Sequence, residues 1–129
     1  MPLTILAAVV GSMIGLSAHH SIASVYDGRQ EVTIEGVVSQ FHFVNPHPYL
    51  LVTVTDSEGA NPWRLEMDNR GELAAVGMTA LTLRVGDRVN VVGNPSRTEK
   101  RSLYLRKLLR AADGFELEQI GSSPRIKRG

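Results

Sequence analysis

The sequence predicts a small all-β protein with one short helix, built as an OB-like barrel of five to six strands. From Glu31 onward, apolar and polar residues alternate with a period of two over short segments separated by turn residues. One helix-like interruption lies between the third and fourth segments, which is the order of an OB-like barrel. The first segment is long and contains a glycine, as a strand that bends to pair with both halves of a barrel requires. A two-sheet sandwich is the competing architecture.

The first two strands are predicted to form a hairpin. The first runs from Val32 to Phe43, with a bend or bulge at Gly36. The motif Asn45-Pro46-His47-Pro48 ends it, because prolines interrupt a hydrogen-bonded ladder. Residues 49–55 alternate again and are predicted to return as the second strand.

A third strand is predicted at residues 63–67, followed by a short helix at 70–76. The strand alternates three apolar residues with two charged ones, so the two sets are expected on opposite faces. These are Trp63, Leu65 and Met67 on one face and Arg64 and Glu66 on the other. Asn69 is a helix-capping residue and Gly77 a helix-ending one, and the spacing places Leu73 and Val76 on one side.

Three further strands are predicted before a basic tail. Gly86-Asp87 precedes the fourth strand, in which Val89 and Val91 face inward, and a polar loop over residues 94–101 leads to the fifth strand at 103–110. Asp113-Gly114 is typical of a type I′ hairpin turn into a short edge strand at 115–117.

The beginning of the chain has the pattern of a secretory signal peptide. Residues 3–16 are apolar, too few to span a membrane comfortably, and the small residues Ser17 and Ala18 follow. We therefore expect a signal peptide at 1–18, an N-terminal arm at 19–30, the barrel domain at 31–120 and a basic flexible tail at 121–129. The expected location is the periplasm or the exterior, with no stable membrane insertion after the leader is removed. A retained membrane anchor is the alternative.

Composition excludes several classes of function. The chain has no cysteine, which rules out disulfides, a lipoprotein anchor and cysteine catalysis. A net charge of +1 from 14 basic and 13 acidic residues does not indicate nucleic acid as a partner. No nucleophile elbow, phosphate loop or HExxH motif is present. The sequence therefore predicts no catalytic residues, and an enzyme is the less favoured class.

The four histidines form two tight pairs that predict a transition-metal site. Cleavage after Ala18 would make His19 the first residue, and a terminal amine beside an imidazole chelates Cu(II). Cleavage after Ser17 would instead place His20 third, where the amine, two backbone amides and the imidazole form a square plane. The alternative is a polar N-terminus in which His19 and His20 have no role.

The second pair, His42 and His47, flanks the proline-containing turn of the first hairpin. A rigid turn holds its neighbours in place, which suits a metal site. Asn45, Tyr49 and Glu66 are candidate supporting residues, although Asn45 also serves the turn and Glu66 also fits a surface pair with Arg64. Six basic residues are predicted to form one cluster: Arg97, Lys100, Arg101, Arg106, Lys107 and Arg110.

The chain resembles an exported bacterial family of unknown function whose members begin Ala-His-His-Ser after the leader and carry Asn-Pro-His in a first hairpin. Here these motifs are residues 18–21 and 45–47, and residues 63–66 and 86–89 match the family's order. The resemblance implies a small periplasmic β-barrel and no established reaction. This chain departs from the pattern in Pro48 after the histidine and in the segment Arg70-Gly71-Glu72, which carries two charged residues.

These observations predict a periplasmic protein that binds copper through His19, His20, His47 and, as an optional further ligand, His42. The alternative is a non-metal interaction module whose barrel face or basic loop binds a periplasmic protein or envelope ligand. Copper-dependent oxidation is a third and less favoured possibility, because an open metal position does not by itself make an enzyme.

Overall fold

A computed structural model describes residues 22–121 and 123–128 of the chain. Within these residues there are seven strands, one helix and a preceding helical turn at 22–25. The strands are β1 (Val32–His42), β2 (Tyr49–Asp56), β3 (Gly59–Glu66), β4 (Arg88–Pro95), β5 (Ser102–Arg110), β6 (Phe115–Glu118) and β7 (Arg125–Lys127). The helix α1 (Arg70–Ala75) lies between β3 and β4.

The first five strands close into a barrel, which confirms the predicted fold class. Their order is β3-β2-β1-β4-β5, and β3 pairs with β5 in parallel to complete the ring. All seven described strands belong to one sheet, with β6 and β7 extending it beyond β5, so the sandwich alternative is wrong. The barrel encloses leucine, valine and methionine side chains of every barrel strand, including Leu50, Leu65, Val91 and Leu105.

Strand β1 changes its pairing partner near Gly36, the residue at which the sequence predicted a bend or bulge. Residues 32–37 pair with β4, and residues 37–42 pair with β2. A Cβ atom at Gly36 would lie 2.4 Å from the carbonyl oxygen of Thr53 and 2.6 Å from Cγ1 of Val52. The glycine is therefore required by close strand approach, whereas the irregular pairing lies between Val38 and Gln40.

The short helix begins and ends where its capping residues predict. The Asn69 side chain accepts a hydrogen bond from the Glu72 backbone N–H at 2.9 Å, and Gly77 has a φ of +101°. Leu73 is fully buried in the barrel core. The prediction that Val76 shares this buried side is wrong, because Val76 is 37% exposed at the helix end.

The connection from β5 to β6 is longer than the predicted type I′ turn. Arg110 pairs with Phe115, so the loop has four residues, and Gly114 has positive φ whereas Asp113 does not. A type I′ turn requires positive φ at both central residues. Asp113 instead accepts hydrogen bonds from the Arg110 guanidinium and the Phe115 backbone N–H.

The chain end is not a flexible tail in the part that the structure describes. Strand β7 pairs antiparallel with β6, Pro124 is buried and Ile126 packs against the core. The prediction of a frayed tail at 121–129 therefore fails at these residues, because β6 offers an unpaired edge. No described helix is long and apolar enough to cross a membrane.

Candidate functional site

The turn between β1 and β2 packs against the segment that joins β3 to α1. The backbone N–H of Met67 donates to the Pro48 carbonyl at 3.0 Å, and that of Arg70 donates to the Pro46 carbonyl at 3.1 Å. The Arg70 side chain donates to the Phe43 carbonyl at 3.2 Å and lies over the Phe43 ring. These contacts hold the turn, which contains a cis Asn45-Pro46 bond, in a defined position on the barrel.

The ring of His47 is oriented by the backbone of the segment that joins β3 to α1. Its Nδ1 atom lies 2.9 Å from the carbonyl oxygen of Met67. A carbonyl oxygen only accepts hydrogen bonds, so Nδ1 carries the proton and Nε2 keeps its lone pair in the neutral ring. Metal-bound histidines commonly have this arrangement, with one nitrogen bonded to a carbonyl and the other bound to the metal.

The ring of His42 lies on the outer face of the barrel and makes different contacts. It stacks on Tyr49 with a centroid distance of 4.5 Å, and its Nε2 atom lies 2.7 Å from Oε1 of Gln40. The guanidinium of Arg64 also packs on the Tyr49 ring, at 4.5 Å. The role of Tyr49 seen in the structure is therefore to orient His42 by stacking.

The two other predicted supporting residues differ in their surroundings. Asn45 is exposed in the turn, and its side chain makes no hydrogen bond to another described residue. Glu66 is partly buried and lies close enough to the Tyr26 hydroxyl to act on its ionisation, as does Ser102. Burial and the neighbouring Glu66 carboxylate raise the pKa of Tyr26 to about 12.

The residues before β1 form an anchored arm, here defined as residues 22–27. Its backbone bonds to the β4–β5 connection, from Asp27 N–H to the Pro95 carbonyl at 2.9 Å and from Arg97 N–H to the Val25 carbonyl at 2.8 Å. Tyr26 is 4% exposed and packs on Tyr104 with a centroid distance of 5.7 Å. The sequence pattern does not predict this anchor; its one visible signal is an aromatic residue, Tyr26, in a polar segment.

The described residues do not by themselves assemble a metal site. Among residues 22–121 and 123–128, no group of three or more His, Cys, Asp or Glu side chains is placed to hold a metal ion. His42 and His47 lie at the two ends of one turn, with their rings directed to different partners. His19 and His20 lie outside the described residues, so the joint site stays a prediction.

The predicted single basic cluster is wrong. The Lys107 ammonium lies 3.6 Å from a carboxylate oxygen of Glu116 and 3.7 Å from one of Glu118. The Arg110 guanidinium forms ion pairs with Asp87 and Asp113, each at 2.8 Å. Arg106 binds the side chain of Asn94 and the carbonyl of Gln119. The carboxylates that pair with Lys107 are on β6. The alternating pattern of β5 does not indicate that these acidic residues lie beside it. The other three basic residues, Arg97, Lys100 and Arg101, are on the β4–β5 loop.

Comparison with known protein families identifies the chain at family level. A family model matches residues 7–104, which is most of the sequence. The chain belongs to DUF6152, a family of unknown function. No curated protein and no solved structure matches it. The DUF6152 match includes both histidine pairs and ends in β5, so Arg106, β6 and β7 lie beyond it.

Proposed function

We propose that this protein is exported and binds a transition metal, with Cu(II) favoured, between the His19-His20 terminus and His47. His42 is an optional further ligand, and the protein has no catalytic turnover of its own. The observation that carries the proposal is the hydrogen bond from His47 Nδ1 to the Met67 carbonyl at 2.9 Å. It leaves Nε2 as an oriented nitrogen donor.

The chemistry of the N-terminus supports copper over harder metals. After removal of residues 1–18, the free amine and the His19 imidazole would provide two nitrogen donors in one chelate ring. Nitrogen donors in a planar arrangement favour Cu(II) over Mg²⁺, Ca²⁺ or Mn²⁺, which prefer oxygen. His47 would complete the nitrogen set.

The anchored arm supports the joint use of the two histidine pairs. Tyr26 interacts electrostatically with Glu66, and both line one groove. Glu66 directly precedes Met67, whose carbonyl orients His47. His20 is two residues before Ile22, so chain length allows it to lie up to about 7 Å from the start of the arm. In this proposal Glu66 acts by holding Tyr26 and the arm, rather than as a metal ligand.

A copper titration of the mature protein, followed by calorimetry and by electron paramagnetic resonance, tests the proposal. We expect His47→Ala and His19→Ala each to weaken copper binding by about tenfold or more and to alter the spectrum. His42→Ala is the matched control, because it removes an imidazole from the same hairpin. We expect it to have the smallest effect. Unchanged affinity and spectrum in His47→Ala would show that the joint site is wrong.

A second candidate function is binding of a protein or envelope ligand without a metal. A groove of about 640 Å³ lies between the anchored arm and the β4–β5 loop, and its wall includes Arg64, Lys100 and Arg101. Capture of the same periplasmic partner with and without a chelator, lost on charge reversal of Lys100 and Arg101, would favour this function. Capture that requires the metal and survives the reversals would exclude it.

A further inference from the structure

Arg106 is the one residue of β5 that a β-bulge leaves without a strand partner. Val92 pairs with Lys107 and Gly93 pairs with Leu105, so Arg106 is the extra residue between them. Successive side chains of a regular strand point to opposite faces, whereas a bulge redirects one of them. As a result, Arg106 and Lys107 line the same open cavity of about 500 Å³.

The Arg106 side chain is held rigidly by neutral groups. Its Nε atom donates to Oδ1 of Asn94, and its Nη1 atom donates to the Gln119 carbonyl at 2.9 Å. Asn94 is only 3% exposed and is itself fixed by a bond from its amide to the Gln30 carbonyl at 2.7 Å. The guanidinium also lies 4.8 Å from the centre of the Tyr104 ring.

The positive charge of Arg106 is not balanced by an ion pair. No described carboxylate lies within ion-pair distance of it, although Glu31 is part of the cavity wall. Two of its five N–H groups are used, and no described residue accepts from the others. Lys107, by contrast, is near both Glu116 and Glu118. A partly buried cation without a counter-ion favours an anionic ligand.

We propose that this cavity binds a monocarboxylate with a short apolar chain. The planar guanidinium matches a carboxylate in shape and can donate two parallel hydrogen bonds to it. Because Arg106 is one cation without a counter-ion, it suits a ligand with a single negative charge. A second negative charge on the ligand would be repelled by Glu31. The apolar part of the wall includes Val92 and Ile120, and Ile120 is 60% exposed. This site is independent of the proposed metal site.

Calorimetric titration of the metal-free protein with hexanoate, acetate and inorganic phosphate at constant ionic strength tests the inference. We expect hexanoate to bind several-fold more tightly than acetate, because each buried methylene adds to affinity. Phosphate is expected to bind more weakly than hexanoate. Hexanoate should also shift the Arg106 Nε–H resonance in a nitrogen-15 NMR spectrum.

Three variants make the test specific. Arg106→Lys keeps the charge but loses the planar donor pair, and we expect hexanoate binding to weaken about tenfold. Arg88→Gln is the control, because Arg88 is exposed on β4 and its side chain makes no hydrogen bond or ion pair to another described residue. Ile120→Ser changes an exposed residue and should remove the preference for hexanoate over acetate. Hexanoate binding that is absent, no tighter than phosphate binding, or equally weakened in Arg88→Gln would overturn the proposal.

Discussion

Arg106 and Arg110 show at the residue scale how partners decide the role of a side chain. Both are partly buried on β5, four positions apart. Arg110 forms ion pairs with Asp87 and Asp113 and donates a hydrogen bond to the Thr82 carbonyl at 2.7 Å. Its positive charge is therefore neutralised by carboxylates of the same protein. Its hydrogen bond to Asp113 holds the pKa of that carboxyl at about 2. Arg106 has neutral partners instead, which leaves its charge for a ligand.

Tyr26 gives a prediction on the pH dependence of stability. Its pKa is raised to about 12 in the folded protein, from an ordinary value of 10.0. The contribution of the protonated Tyr26 hydroxyl to the free energy of unfolding is therefore fully present below pH 10 and is lost as the pH rises toward 12. The reason is that the hydroxyl loses its proton at a lower pH in the unfolded chain than in the folded protein. The two-unit difference corresponds to at most about 2–3 kcal/mol.

Urea denaturation from pH 8 to pH 11.5 measures this effect in the original protein and in Tyr26→Phe. At pH 8 we expect the variant to be less stable by about 1–2 kcal/mol, because it loses the polar interactions of the buried hydroxyl with Glu66 and Ser102. The difference should shrink above pH 10. Lysines titrate in the same range, so the informative quantity is the difference between the two proteins. A difference that is constant with pH would contradict the raised pKa of Tyr26.

At the element scale, the pairing of β1 with β2 requires a glycine at position 36. The strand leaves β4 and joins β2 at Gly36–Val37, and the backbone of β2 comes too close there for a Cβ atom. We expect Gly36→Ala to lower the free energy of unfolding by about 1–3 kcal/mol. Urea denaturation measures this loss. Gly28→Ala is the control, because no atom lies within 4 Å of a Cβ built there. Equal stability of the two variants would contradict the described packing.

The elements differ in how well their local sequence predicts them. The Asn69 cap and the periodic strand segments follow from neighbouring residues, and the structure confirms them, except that β3 begins at Gly59, four residues before the predicted start, and ends at Glu66. The early start depends on pairing with β2. Strand β7 has only three residues, and it forms because β6 supplies its hydrogen bonds. The β5–β6 loop likewise depends on Arg110 and Asp113 meeting across the hairpin. An element that forms because of its partner need not show an alternating pattern of apolar and polar residues in its own sequence.

At the scale of the whole molecule, closure of the barrel brings distant segments of the chain together. The parallel pairing of Leu65 with Leu103 joins strands far apart in the sequence. It also places the arm beside both, through the contacts of Tyr26 with Glu66 and Tyr104. The position of the anchored arm, which begins at Ile22, is therefore a property of the closed barrel.

The whole chain also gives a prediction about processing, on which the proposed metal site depends. We expect the protein isolated from the cell envelope to begin at His19, because Ala18 suits a cleavage site and the product has a histidine first. Intact-mass spectrometry measures this directly. A mass that begins at Ala18 would transfer the copper chelate to His20 and leave His47 a structural residue. A mass that includes residues 1–18 would remove the amine ligand and most of the argument for copper.

The sequence by itself determined the fold class, the approximate strand segments and the helix cap. These depend on period, on turn residues and on capping, all of which act over a few neighbouring residues. Only the tertiary structure decided the orientation of His47 by the Met67 carbonyl, the anchoring of the arm and the bulge at Arg106. It also decided which basic residues form ion pairs and which do not. The physical reason is that hydrogen bonds, ion pairs and close strand approach join residues that are distant along the chain. A local pattern records the residue type but not its partner.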